Sequence, residues 1–139
     1  MRKNYFSFVE FIHSEIAERE GIINIPNFEA IENLIKLVNK VLIPAREYMA
    51  TPIYINSGYR SKELNKILGG VENSQHLYGK AADITTHDKE RNDILFKYLC
   101  WNIEFDQLIR YETFIHVSYN GVANRGMVID KVANKKFTK

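Results

Sequence analysis

Residues 74–83 read SQHLYGKAAD and hold the most informative polar residues of the chain. His76 and Asp83 both supply atoms that bind zinc well, a ring nitrogen and a carboxylate oxygen. Gly79 lies between them and permits a tight backbone path. Asp83 falls within a predicted strand at residues 81–85, where a carboxylate needs a partner. The stretch therefore predicts a polar loop that leads into a strand and carries two candidate metal ligands.

A second histidine lies in residues 114–119, FIHVSY, which have the pattern of a strand. Strand alternation places Ile115 and Val117 on the core face and His116 on the opposite face, where a site can lie. A lone strand histidine is usually structural, so spacing alone also allows an unmetallated polar cluster. His87 is the rival third ligand. It lies beside a predicted helix cap, however, which favours its interpretation as a loop residue.

Helical patterns dominate the first part of the chain and strand patterns the second. Residues 7–20 predict one amphipathic helix, with a capping box at Ser7 and an end at Gly21. Residues 27–42 predict a second helix, followed by a break or restart at Pro44. The remaining predictions are a strand at 53–56, a helix at 62–68, a polar loop at 71–79, a strand at 81–85, a helix at 88–100, a hairpin of strands at 105–111 and 114–119, a strand at 127–132 and a frayed tail at 134–139.

Length and composition indicate one globular domain over residues 1–139. The chain has 139 residues, of which 45% are hydrophobic and 26% charged, enough for a core with an ordinary surface. Helices first and strands later predict an α+β fold, an antiparallel sheet with helices packed on one face. We expect a monomer.

The same numbers exclude several classes of protein. A net charge of +2 is too small to predict a nucleic-acid partner. No apolar stretch is long enough to cross a membrane, and the single cysteine, Cys100, forms no internal disulfide. The basic start is followed by an apolar run that Glu10 and His13 interrupt, without a cleavage site. We therefore expect no signal peptide, synthesis in the cytoplasm, and any action on the cell wall after release.

Three motifs in order give the sequence a family resemblance. Residues 74–83 meet the pattern Ser-x-His-x-x-Gly-x-Ala-x-Asp in full, residues 57–61 read SGYRS, and residues 115–118 read IHVS. With these motifs the chain resembles the M15 zinc peptidases, which include D-alanyl-D-alanine carboxypeptidases, dipeptidases and phage endolysins. The resemblance covers residues 53–119 and extends, through residues 105–112, to the hedgehog signalling domain, which shares the fold and zinc site.

The resemblance implies a zinc metallopeptidase with Zn²⁺ held by His76, Asp83 and His116 and a fourth position for water. Zinc would lower the pKa of that water to roughly 7 and polarise the scissile carbonyl. The implied substrate is the peptide stem of peptidoglycan, cleaved at D-Ala-D-Ala or L-Ala-D-Glu, and the implied branch is the compact phage or prophage type. The implied fold is the hedgehog/DD-peptidase-like one.

The catalytic base departs from the family pattern. Many family members carry an acid three residues before the third ligand, but Thr113 stands there and cannot accept a proton. Glu112 is the available carboxylate and the expected general base. Four extended residues span roughly 13 Å, so Glu112 reaches the metal only if the chain turns near Thr113. The alternative is a solvated turn glutamate.

Three further candidate residues each have two interpretations. Arg60 is expected to bind a substrate carboxylate and polarise the carbonyl oxygen, or to be a surface arginine. Ser74 either binds substrate or stabilises its loop, and Gln107 either lines the cleft or occupies a half-exposed strand position. The rival function is a non-catalytic zinc-containing module that binds cell-wall peptide or a protein.

Overall fold

The structure, a computed structural model, describes residues 4–139; the basic start at residues 1–3, which entered the signal-peptide interpretation, lies outside the described residues. Along this part of the chain, no helix is both long enough and apolar enough to span a bilayer. The elements in chain order are α1 Phe8–Ile12, α2 Glu15–Glu20, α3 Phe28–Leu37, a π-helical segment Val38–Leu42, α4 Ile43–Met49, β1 Tyr54–Ser57, α5 Lys62–Ile67, a 3₁₀ helix Gln75–Tyr78, β2 Ala81–Thr85, α6 Lys89–Asn102, β3 Gln107–Arg110, β4 Ile115–Ser118, β5 Met127–Asp130 and β6 Lys135–Thr138.

Within residues 4–139 the strands form one six-stranded sheet in the order β1-β2-β4-β3-β5-β6. Four neighbouring pairs are antiparallel, but β3 and β5 are parallel. The predicted antiparallel sheet is therefore corrected at one pair. The predicted hairpin joins β3 to β4 and reverses the chain once, and the following loop reverses it again. After two reversals β5 runs in the direction of β3.

The tail predicted to fray is instead the edge strand β6. It pairs antiparallel with β5, from Met127 opposite Thr138 to Asp130 opposite Lys135. Its side chains are all exposed, and lysines are common on edge strands because they oppose further pairing. The lysine-rich composition suggested a solvated tail, whereas the open edge of β5 supplies the hydrogen-bonding partner.

The predicted first helix is two short helices. The capping box is present, since the Ser7 backbone N–H donates to the Glu10 carboxylate at 2.7 Å. The helix then stops because Ser14 adopts an extended backbone and its hydroxyl accepts from Ala17 N–H, which starts α2. Gly21 ends α2 with φ +68°, as predicted.

Pro44 does not interrupt the long helical stretch from α3 to α4. A π-helical turn precedes it, in which Ile43 N–H donates to the carbonyl of Val38, five residues back. Pro44 thus falls in the first turn of α4, a position that tolerates a residue without a backbone N–H.

The core lies on one face of the sheet, and the opposite face is left for polar groups. Ile84 of β2 and Ile115 and Val117 of β4 are fully buried and pack against α3, α4 and α6. Alternation turns Asp83 and His116 away from that core. The sheet therefore presents its candidate ligands opposite the packed helices.

Candidate metal centre

Strand pairing brings two of the candidate ligands together. Asp83 of β2 lies directly opposite His116 of β4. His116 Nδ1 is 2.9 Å from Asp83 Oδ1, and both side chains are largely buried. Residues directly opposite in an antiparallel pair have neighbouring side chains, so this contact follows from the register.

The 3₁₀ helix supplies His76 from the preceding loop. His76 Nε2 lies 3.4 Å from Asp83 Oδ1, and Nδ1 lies 2.6 Å from the carbonyl oxygen of Gly58. Because a carbonyl only accepts, Nδ1 carries the proton and the Nε2 lone pair faces Asp83. Ser74 caps the helix, as its hydroxyl accepts from His76 N–H at 3.2 Å. Gly79 ends it at φ +71°, where a Cβ would meet the backbone of Ala30.

The three side chains lie close enough together to hold one metal ion. One ligand atom from each of His76, Asp83 and His116 lies within 4.8 Å of the others, and no second group of this kind occurs within residues 4–139. Zinc bonds of about 2.1 Å in a tetrahedron place ligand atoms roughly 3.4 Å apart. The observed 2.9 and 3.4 Å separations from Asp83 Oδ1 are close to that value. Two imidazole nitrogens and a carboxylate oxygen form a donor set that suits zinc.

Asp83 is ionised in this setting. Burial by itself raises the pKa of Asp83, but hydrogen bonding with His116 opposes that effect, and the pKa lies well below its ordinary value. Its second oxygen, Oδ2, lies 3.3 Å from Arg60 Nη2. The carboxylate therefore offers Oδ1 to the histidine side and Oδ2 to the guanidinium.

Arg60 is a buried arginine rather than a surface one, with 15% of its side chain exposed. Besides Asp83 it donates to Ser57 Oγ at 3.0 Å and to Asn65 Oδ1 at 3.3 Å. Burial lowers the pKa of Arg60, and the charge of Asp83 opposes that shift. Three fixed bonds set the guanidinium plane, so Arg60 orients the Asp83 carboxylate.

The three candidate ligands lie in a cleft of about 750 Å³, a volume suited to a small peptide. Three other residues singled out from the sequence also line it: Arg60, Ser74 and Gln107. Further lining residues include Gln75, Asp106, Tyr111, Phe114 and Arg125. His87 is outside the ligand group, and its ring contacts the Tyr54 ring at a tilt of 35° with centroids 4.4 Å apart, as a loop residue can.

Glu112 does not line the cleft. Tyr111 N–H donates to the carbonyl of Phe114 at 2.9 Å, so residues 112 and 113 form the tip of a tight turn. The chain thus turns at Thr113, as a catalytic Glu112 requires. The Glu112 side chain, however, is 71% exposed and its Oε2 lies 3.8 Å from Lys89 Nζ. Its role as general base remains a prediction that requires the side chain to rotate.

The sequence analysis missed an ion pair in the cleft wall. Asp106 is 2% exposed and accepts hydrogen bonds from the backbone and guanidinium of Arg125, the shortest at 2.7 Å from Nη2. Gln75 donates to the same carboxylate at 2.9 Å. Burial raises the pKa of Asp106, but the bonds from Arg125 bring it below its ordinary value. Arg125 lies in a loop 19 positions from its partner, so no local pattern could reveal the pair.

Comparison with known proteins gives two findings. The sequence model of a family described as Peptidase M15 matches residues 4–118. The zinc D-Ala-D-Ala carboxypeptidase of Streptomyces albus G is 52% identical over 33 residues, which make up 24% of this chain and 13% of that protein. The chain thus matches only a short part of that relative's length.

Proposed function

Starting from the fact that the chain belongs to the M15 peptidase family, we propose that it is a zinc metallopeptidase that hydrolyses peptide bonds in the stem peptides of peptidoglycan. The observation that carries the proposal is the group of His76, Asp83 and His116 on the wall of a peptide-sized cleft. The zinc D-Ala-D-Ala carboxypeptidase relative supports the metal and the substrate class. The scissile bond is D-Ala-D-Ala or L-Ala-D-Glu, and residues 1–139 act as one domain of hedgehog/DD-peptidase-like architecture.

His76, Asp83 and His116 would hold the zinc, and the surrounding residues prepare them for it. A bound zinc ion supplies a Lewis acid that polarises the scissile carbonyl and lowers the pKa of a water molecule. The carbonyl of Gly58 keeps the His76 Nε2 lone pair free. Arg60 occupies Asp83 Oδ2, which leaves Oδ1 as the ligating oxygen.

Glu112 would take the proton from water and pass it to the leaving amine. Its neighbours Tyr111 and Phe114 line the cleft, so the turn lies at the cleft's edge. The contact with Lys89 is a surface ion pair, which contributes only about 0–1 kcal/mol and permits rotation. Asp106 is less suitable, because Arg125 and Gln75 already occupy both of its oxygens.

Arg60 also has donors left for the substrate. A guanidinium carries five N–H groups, and three of them bond to Ser57, Asn65 and Asp83. The remaining two can bind a substrate carboxylate or the scissile carbonyl oxygen, since Arg60 lines the cleft. Ser74 and Gln107 line the same cleft and complete the proposed substrate-binding set.

The test is digestion of purified cell wall and of synthetic stem peptides with zinc-loaded protein, followed by mass analysis of the products. Release of terminal D-alanine identifies a carboxypeptidase, and separation of L-alanine from D-glutamate identifies an endopeptidase. The His76→Ala variant, prepared in parallel, is the matched control for a contaminating peptidase. Intact substrates after prolonged incubation with wild type would refute the proposal.

One observation favours a second candidate, a zinc-containing module that binds cell-wall peptide without cleaving it. Among the described residues, the cleft carboxylates Asp83 and Asp106 are both engaged, and Glu112 faces Lys89. Isothermal titration with a stem peptide separates the two functions. Saturable binding without any product after incubation identifies the binding module.

A further inference from the structure

Arg125 is a fixed cation on the cleft wall that the proposed reaction does not use. We propose that it binds a carboxylate of the substrate peptide about two residues away from the scissile bond. This inference deepens the proposed function and rests on it for the identity of the substrate. It assigns Arg125 to substrate selection, separate from the metal ligands.

Arg125 has N–H donors left for a ligand. Its Nε–H and one Nη2–H point to the carboxylate of Asp106, at 3.1 and 2.7 Å. Three of the five N–H groups remain, on a side chain that is 54% exposed and lines the cleft. A planar guanidinium with adjacent free N–H groups matches the two oxygens of a carboxylate.

The Arg125 guanidinium is also preorganised for binding. Asp106 is 2% exposed and anchors both the backbone N–H and the guanidinium of Arg125. The guanidinium is therefore held in place before a ligand arrives, which removes much of the entropy cost of ordering a long side chain. A freely moving surface arginine lacks this advantage.

The Asp106–Arg125 pair adjoins β4, the strand that carries His116. Asp106 N–H donates to the carbonyl of Ser118 at 2.8 Å, and Ser118 lies two residues beyond His116 on β4. Two strand residues span about 7 Å, so the Asp106 backbone lies about that far from His116 along β4. A substrate that extends in the same direction advances by a similar distance over two residues. Gln75, next to His76, donates to the same Asp106 carboxylate. This hydrogen bond connects the segment that carries His76 to the Asp106–Arg125 pair.

The bound carboxylate is selected by geometry rather than by net charge. Asp106 balances the charge of Arg125, so the pair adds no net positive charge to the cleft. A neutral amide in the same place offers one oxygen where the carboxylate offers two, and it gains no charge-assisted hydrogen bonds. The preferred ligand is therefore a peptide with a free carboxylate at this position, such as a residue linked through its side chain.

The experiment compares two synthetic peptides that differ only in a carboxylate or a carboxamide two residues from the scissile bond. Isothermal titration of each peptide into zinc-loaded protein gives Kd, and product formation is followed separately. We expect wild type to bind the carboxylate peptide roughly 10- to 100-fold more tightly. Arg125→Gln should bind both peptides with the affinity that wild type shows for the carboxamide. Arg91→Gln, at an exposed position on α6, is the matched control and should keep the preference.

Arg125→Gln leaves the buried Asp106 carboxylate without its cation, which can destabilise the fold. A second variant therefore tests the inference without that buried charge. Arg125→Gln combined with Asp106→Asn keeps this part of the interior neutral and should show the same loss of preference. Equal affinity of wild type for the two peptides, binding of neither, or a preference retained in the variants would each overturn the inference. A wild type that prefers the carboxylate peptide but cleaves neither contradicts the proposed function and leaves the inference standing.

Discussion

Replacing Arg60 with lysine keeps the positive charge and removes the planar fork. Arg60 donates to Ser57, Asn65 and Asp83 from three different nitrogens. A lysine ammonium is a single point donor, so it can stay with Asp83 but cannot also reach the other two acceptors in their present positions. The variant therefore separates the charge of this residue from its geometry.

The expected loss of stability follows from the two bonds that disappear. A hydrogen bond to a charged group contributes about 1.5–3 kcal/mol. The distances of 3.0 Å to Ser57 and 3.3 Å to Asn65 favour the low end of that range. Two bonds at that low end lead us to expect that Arg60→Lys lowers the free energy of unfolding by about 3 kcal/mol. Zinc affinity should fall by a factor of about 10 to 100, because Asp83 loses part of the support that orients it.

The two effects require separate assays. Urea unfolding of chelator-treated protein measures stability without the contribution of bound metal. Competition with a chromophoric chelator measures zinc affinity, and kcat/KM on a stem peptide should also fall. Arg91→Lys makes the same chemical change at an exposed position and should leave all three quantities unchanged. If Arg60→Lys unfolds within about 0.5 kcal/mol of wild type and binds zinc equally well, Arg60 does not orient Asp83.

Three further predictions address the metal, the base and the loop. His76→Ala should lower the zinc content from about one equivalent to almost none in metal analysis, whereas His87→Ala should keep it; a full equivalent in His76→Ala would remove the ligand assignment. Glu112→Gln should retain zinc while its rate on a stem peptide drops by a factor on the order of 10² to 10⁴, and a fully active variant would exclude Glu112 as the base. Gly79→Ala should destabilise the protein in thermal unfolding by clearly more than the ~1–2 kcal/mol expected for Gly21→Ala. Both glycines have a left-handed backbone, but only at Gly79 would a Cβ meet the backbone of α3; equal losses would contradict the close approach.

Local patterns predicted most of the elements that carry the cleft. The alternation in β2 and β4 indicated which residues face the core, and Ile115 and Val117 are indeed fully buried. The predicted starts of the helices at 88–100 and 62–68 are confirmed, since Asp88 caps α6 and Ser61 caps α5. These signals involve residues within one turn or one strand of each other, so they are readable without the rest of the fold.

The errors occurred where distant contacts decide the structure. The parallel pairing of β3 with β5 and the pairing of β6 depend on how a loop returns the chain, which residue types do not encode locally. The first helix is the exception, because it ends through a local contact: the Ser14 hydroxyl caps α2 and competes with continuation of α1. The break lies inside an amphipathic pattern that periodicity alone does not divide.

The sequence by itself determined the residue types of the centre and the order in which they occur. His76 and Asp83 are seven positions apart and His116 follows on a later strand; these residues offer zinc-binding atoms, and the resemblance of the three motifs to the M15 peptidases predicted the zinc site. Only the tertiary structure decided that Arg125 meets Asp106 and that Glu112 faces Lys89. Those contacts join residues 19 and 23 positions apart through loop geometry and side-chain rotamers. Such contacts depend on the free energy of the whole fold rather than on neighbouring residues.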